Sequence, residues 1–180
     1  GDAPATELGT HSRFARTLLF SGDGRFLFSS GADGHVKVWD LETMALYRDI
    51  KLQDGYAHGL DLDRTEEHLL VSKMNGLMEI WDWRRRLLKR KLPSSSYGTM
   101  QSIFNDAGDR IFSAHTSGAV KVWRTEDGAL LLDMVGFSDG QWLSFTPDGY
   151  YDCSAFGDCY VQWRRGQEVC PVERYSGLFK

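Results

Sequence analysis

Any chemistry this chain performs must come from a short roster of side chains. Gly22-Asp23-Gly24 has the glycine content of a phosphate-holding turn. A phosphate cradle opens a helix, however, and these residues open a strand, so they read as a structural turn. Glu66-Glu67-His68 has the composition of an acid/base or metal site but falls between two strand-like runs, where a solvated turn is expected. Ser144 and Ser154 lack the Gly-x-Ser-x-Gly flanks of a nucleophile elbow and read as strand residues. The three cysteines, Cys153, Cys159 and Cys170, come with no fourth short-spaced ligand and no Cys-x-x-Cys-His haem attachment. The set predicts no catalytic triad, no metal site and no cofactor, and hence no enzyme.

Cys153 and Cys159 flank a hairpin turn, Cys153-Ser154-Ala155-Phe156-Gly157-Asp158-Cys159. That spacing fits either a cross-strand disulfide or two unpaired buried thiols. The first suits a periplasmic or extracellular structural subunit and the second a cytoplasmic chain. The run Arg84-Arg85-Arg86-Leu87-Leu88-Lys89-Arg90-Lys91 concentrates cations. On an exposed outer strand such charges deter sheet-to-sheet pairing; the alternative is a patch for an acidic partner or a phosphate. Nucleic-acid binding would want aromatics interleaved on the same face, and only Trp83 is near, so no nucleic-acid partner is expected.

The elements that position these residues follow from composition and period. The 180 residues carry 21 basic and 25 acidic side chains, a formal charge of −4, with 42 % hydrophobic and 26 % charged residues, inside the globular range. No apolar run approaches the roughly 18 residues of a spanning helix, so membrane insertion by a helix is not expected. No charged n-region and apolar h-region open the chain, so no intact signal peptide is expected. Nineteen glycines against four prolines, with six tryptophans, point to a turn-rich sheet protein.

Trp39, Trp81, Trp123 and Trp163 stand 42, 42 and 40 residues apart, and each closes a similar phrase. Asp33-Gly34-His35-Val36-Lys37-Val38-Trp39-Asp40 is followed by Asn75-Gly76-Leu77-Met78-Glu79-Ile80-Trp81-Asp82 and Ser117-Gly118-Ala119-Val120-Lys121-Val122-Trp123-Arg124, and Gly157-Asp158 opens a fourth phrase ending at Trp163. A turn pair before an alternating β-branched and aromatic run is a hairpin feeding a strand. Phe20-Ser21-Gly22-Asp23-Gly24, Phe104-Asn105-Asp106-Ala107-Gly108 and Phe145-Thr146-Pro147-Asp148-Gly149 mark a second register upstream; Leu62-Asp63-Arg64-Thr65-Glu66 takes that place without the glycine. Each unit reads as four short antiparallel strands, in the first near Ala15–Phe20, Phe26–Ser30, Val36–Asp40 and Ala45–Leu52. A sheet this small cannot bury two apolar faces alone, so the units must stack. The expected fold is an all-β propeller of one domain, residues 1–180, with blades at about 9–52, 53–92, 93–135 and 136–175.

Period, hairpin and Trp-Asp ending resemble the WD-repeat β-propeller family over nearly the whole chain. The resemblance implies a hydrogen-bonded structural relay in each blade. The first unit has all its members, His11, Ser29, Asp33 and Trp39. The second departs, with Gln53, Val71 and Asn75 beside Trp81; the third keeps Ser113 and Trp123 but has Ser95 and Ser117 elsewhere; the fourth contributes Trp163. The fourth unit, from Trp142 to Asp152, resembles the last blade of bacterial WD-repeat proteins. The resemblance also implies a partner-binding rim at Phe14, Arg16 and Ala32, at Tyr56, His58 and Met74, at Met100 and Thr116, and at Gln141 with Trp142. Its blade count of about seven exceeds the four units here. Four blades leave two end faces, and a homodimer joining two chains into an eight-bladed ring is favoured over packing into a larger assembly or a fragment of a longer propeller. The expected function is a non-catalytic protein-interaction or scaffold module.

Overall fold

The computed structural model describes residues 7–92, 98–160, 162–165 and 168–171, the last two spans as backbone strands. Blade one is β1 (Ala15–Phe20), β2 (Phe26–Gly31), β3 (His35–Asp40) and β4 (Ala45–Lys51), antiparallel in chain order. Blade two repeats this with β5 (Ala57–Leu62), β6 (His68–Lys73), β7 (Met78–Asp82) and β8 (Leu87–Leu92). Blade three has β9 (Thr99–Phe104), β10 (Arg110–His115), β11 (Ala119–Arg124) and β12 (Leu130–Gly136). These elements match the predicted strands to within a residue or two, because turn chemistry and alternation agree at every boundary.

The turns carry the period too. Gly24, Glu66 and Gly108 stand one period apart in the turn between first and second strands, and all three have positive φ (72°, 56° and 72°). Glycine takes that conformation without penalty, whereas Glu66 takes it against the steric preference of a residue with a Cβ.

Strand pairing decides which side chains meet. In blade one, Phe28 pairs with Val38 and Ser30 with Val36, which places these four on one face. That face is buried against Leu60, Leu69, Val71 and Trp81 of blade two. The opposite face of blade two presents Leu70, Met78, Ile80 and Leu92 to Ile111, Trp123, Phe104 and Leu130 of blade three. The first strands β1, β5 and β9 lie side by side toward the axis of the stack. Burial of these alternating residues supplies the driving force for stacking.

The fourth unit differs from expectation. β13 (Trp142–Phe145) pairs with β12, and β14 (Tyr151–Cys153) with β13, so blade three becomes a six-stranded sheet. β15 (Gln162–Arg165) and β16 (Glu168–Pro171) form a separate two-stranded sheet. The cause is a hairpin turn after β12. Phe137 N–H donates to Gln141 O (2.8 Å), Gly140 N–H to Phe137 O (3.1 Å) and Gln141 N–H to Asp139 Oδ1 (3.1 Å). Ser138-Asp139-Gly140 has the turn chemistry of the connections inside a blade, and it folds β13 back beside β12. The stack therefore holds three blades among the described residues, two of four strands and one extended to six, and an eight-bladed ring from two copies does not follow from it.

Of the two readings of the hairpin cysteines, the disulfide is not seen: Cys153 and Cys159 are not joined, and Cys159 is exposed rather than buried. Cys153 ends β14, but the chain then turns into a 3-10 segment, Gly157–Tyr160, instead of a facing strand, so Cys159 is not placed across a ladder. Phe137 stacks on Tyr160 there, with ring centroids 4.0 Å apart, and the Tyr160 hydroxyl donates to Asp139 (2.6 Å).

The aromatic centre of the first interface is Trp83, fully buried against Phe26 (5.2 Å) and Phe28 (4.9 Å) in edge-on geometry, its Nε1–H donating to Glu66 O (2.8 Å). Trp83→Ala should destabilise the chain by about 3–5 kcal/mol, the cost of a large core truncation, read as a lower denaturant midpoint.

Candidate functional site

Each blade buries a tryptophan on its third strand and must give the indole N–H an acceptor. In blade one, Trp39 Nε1 donates to Ser29 Oγ (2.8 Å). Ser29 lies 2.8 Å from His11 Nε2, and His11 Nδ1 lies 3.1 Å from both Asp33 oxygens. A carboxylate only accepts, so Nδ1 carries the proton, and the Ser29 hydroxyl donates to Nε2. Burial would raise the Asp33 carboxyl, but N–H donation from Ser12 and His35 and contact with His11 outweigh it and hold it below the ordinary value. Gly31 sits where a Cβ would run into His11 and Asp33. All four residues predicted for this relay are brought together.

Blade two solves the same problem with ions. Trp81 Nε1 donates to Glu79 Oε2 (3.0 Å), and Lys73 Nζ donates to Glu79 Oε1 (2.6 Å) and to the backbone oxygen of Gln53 (2.5 Å). Lys73 and Glu79 are both fully buried. Gln53 joins through its backbone, Val71 is core, and Asn75 donates to Asp54 O (2.8 Å). In blade three, Trp123 Nε1 donates to Ser113 Oγ (2.7 Å), which lies 2.8 Å from His115 Nε2. Gly31, Lys73 and His115 are one period apart. His115 thus fills from within the sheet the place that His11 fills from outside it. Ser117 sits in the β10–β11 turn, while Ser95 and the Trp163 side chain lie outside the described residues.

The ends of the blades that carry the second-to-third-strand hairpins form the rim. Here Arg16 of blade one lies between two aromatic rings, 5.0 Å from the Phe14 centroid and 4.9 Å from that of Tyr56 in blade two. Its guanidinium reaches Tyr56 Oη (3.4 Å) and His58 Nε2 (3.2 Å). Burial first, and the Arg16 charge second, lower the His58 pKa, which favours the neutral ring that can accept from Arg16. Phe14 remains 67 % exposed. Ala32 joins through its backbone N–H to Phe14 O (3.0 Å). Met74, Met100 and Thr116 are exposed at the same end of blades two and three. Gln141 and Trp142 are placed apart, at the outer flank of blade three, where Gln141 Oε1 accepts from Ser154 Oγ (2.6 Å).

The residues weighed for catalysis have structural employment. His68 Nδ1 bonds Asp63 (2.8 Å), the Glu66 carboxylate accepts from Gly22 N–H, and Ser144 Oγ donates to Asp152 O (3.3 Å).

Comparison with known proteins fits this geometry. The family model "WD domain, G-beta repeat" matches residues 3–40, the span of the first relay and hairpin. The fold aligns with the WD40 repeats of RRP9 (TM-score 0.65, 13 % identity, 81 % of this chain and 52 % of that one) and with U3-55K (0.67, 14 %, 81 % and 53 %). The chain is similar to the WD-repeat β-propellers: its first repeat matches that family's model, and the stack shares the propeller fold. Among curated WD-repeat relatives, the pre-mRNA-splicing factor cwf17 of Schizosaccharomyces pombe is 27 % identical over 59 % of this chain and 31 % of its own length. The target of rapamycin complex subunit wat1 of the same yeast is 27 % identical over 69 % of this chain and 40 % of its own. The chain thus spans well under half of these relatives. They are eukaryotic, and the bacterial likeness read in the fourth unit finds no support in them.

Lys73→Met should cost about 3–5 kcal/mol in urea unfolding, because it leaves the buried Glu79 carboxylate only the more distant Lys91 ammonium, at 3.8 Å. Lys73→Met/Glu79→Gln should recover most of that, since a glutamine oxygen still accepts from Trp81. Asp33, with its lowered pKa, contributes stability that is complete above the unfolded carboxylate value of about 3.9 and lost as pH falls through the folded one. Asp33→Asn should therefore lower stability at neutral pH and flatten its loss below about pH 4, measured by thermal melts across pH.

Proposed function

We propose that this chain is a non-catalytic protein-interaction module that presents the Phe14–Arg16–Tyr56–His58 rim to a partner protein and completes its blade stack with further copies of itself. The observation that carries the reading is the match between the two ends of the stack. The far face of blade three holds Ile103 (48 % exposed) and Phe112 (36 %), the latter two periods from Phe28, which blade two buries completely. The far face of blade one holds Leu18 (62 %), Phe20 (60 %) and Leu46 (47 %). Phe20 and Leu46 are each one period from a residue that packs in the first interface, Leu62 and Leu88. Each end is thus the complement of the other, and contiguous apolar surface of this kind marks a contact site.

The rim supports the interaction half of the reading. A guanidinium held between two rings, within reach of a neutral histidine, is a rigid group of the type that dominates protein interfaces. Among the relatives, wat1 is named as a complex subunit, which is the same kind of role.

Light scattering on the purified chain should give at least twice the 20.4 kDa chain mass. Leu18→Glu/Phe20→Glu should return it to a single chain with its strand circular dichroism intact. A wild-type monomer would overturn self-assembly, leaving the end faces to blades from another source.

A further inference from the structure

Blades that align residue by residue at a spacing of 42 reveal one place where an interface changes character. Between blades one and two, at the end opposite the rim, Trp83 fills the space beside Phe26, Phe28 and Tyr47. One period on, Thr125 stands for Trp83, His68 for Phe26, Leu70 for Phe28 and Lys89 for Tyr47. An indole, a phenyl and a phenol have given way to a hydroxyl, an imidazole and an ammonium.

The space the aromatic plug would fill is open. A cavity of about 400 Å³ lies between blades two and three, with His68, Lys89 and Thr125 in its wall. An adjoining cavity of about 460 Å³ shares Thr65, His68 and Lys89 and extends to Arg84 and Arg85. Both are of ligand-site size, and together they make a trough. The Thr125 hydroxyl oxygen is covered and has no hydrogen-bond partner, a cost a well-packed interface avoids.

The charges in the trough are unequally committed. Arg64, Lys89 and Arg90 form no ion pair among the described residues. Asp63 already accepts from the His68 ring and from the N–H groups of Glu67 and His68, and Asp82 is paired with Arg85 (3.0 Å). Glu67 and Glu126 are exposed at its margins, and Ile80 and Phe104 give it an apolar wall.

We propose that this trough docks an extended acidic segment of a partner protein, its carboxylates on Arg64, Lys89 and Arg90 and an apolar side chain against Ile80 and Phe104. The site lies on the opposite end of the stack from the rim and stands independently of it. Two linked cavities with an apolar wall suit a peptide better than a lone anion. The interspersed carboxylates and the lack of an exposed ring for base stacking disfavour nucleic acid.

The probe is a fluorescein-labelled ten-residue peptide alternating Glu and Leu, followed by anisotropy at low ionic strength. The full chain should bind it saturably, and Lys89→Glu/Arg90→Glu should weaken binding at least tenfold. Thr125→Trp, which rebuilds the plug of the first interface, should abolish binding and leave the thermal midpoint no lower. Arg16→Ala should leave binding unchanged, which separates this site from the rim. The proposal is overturned if the charge-reversed chain binds as tightly as wild type, or if a Lys-Leu peptide binds equally well. Displacement by inorganic phosphate or a ten-nucleotide single strand at concentrations equal to the peptide's would overturn it too.

Discussion

A tryptophan on the third strand of a blade brings a large apolar surface into the stack together with an N–H that water cannot reach. Everything around it follows from supplying that N–H with an acceptor while keeping the acceptor itself satisfied. Blade one uses a serine backed by His11 and Asp33, blade two a carboxylate backed by Lys73, and blade three a serine backed by His115. The three answers differ in charge but share geometry, because Trp39, Trp81 and Trp123 occupy one place in a repeated sheet. A buried polar network that is fully satisfied fixes the register of its strands, and a half-satisfied one would be worse than none. The repeat can thus drift in sequence so long as the acceptor and its support change together.

The same repetition explains why the stack has ends. Face-to-face packing needs one blade's outer residues to meet the next blade's inner ones, and a short run of blades leaves one face of each kind over. Blade three directs its added strands, β13 and β14, sideways along its edge, so they lengthen the sheet without covering its face.

Three blades were legible in the sequence because tryptophan spacing, Asp-Gly or Asn-Gly hairpins and strand alternation all pointed the same way. The relay of blade one was legible as well, since His11, Ser29, Asp33 and Trp39 have distinctive side chains. The supports of the other two were not. Lys73 and His115 stand at the place of Gly31, and a glycine gives no hint that its equivalents are ionisable. Ionisable residues ending otherwise buried strands, as in Leu69-Leu70-Val71-Ser72-Lys73, were the available signal. The fourth unit misled because Ser138-Asp139-Gly140 makes the same turn whether it joins strands within a blade or returns to the blade just left. At the rim, Phe14, Arg16, Tyr56 and His58 were foreseen as separate contacts; their convergence on one guanidinium depends on the angle between two blades, which no linear spacing encodes.

His11 reaches Ser29 from a segment that precedes β1 and belongs to no strand, and Gly9 in that segment lies so close to Trp39 that a Cβ would collide with the indole. Blade three draws both Ser113 and His115 from its own sheet. The blades are therefore unequal in autonomy: the leading strap is a latch for blade one alone. Peeling it away would expose that blade's indole to solvent and let amide hydrogens there exchange early, while the two blades behind it stayed shut.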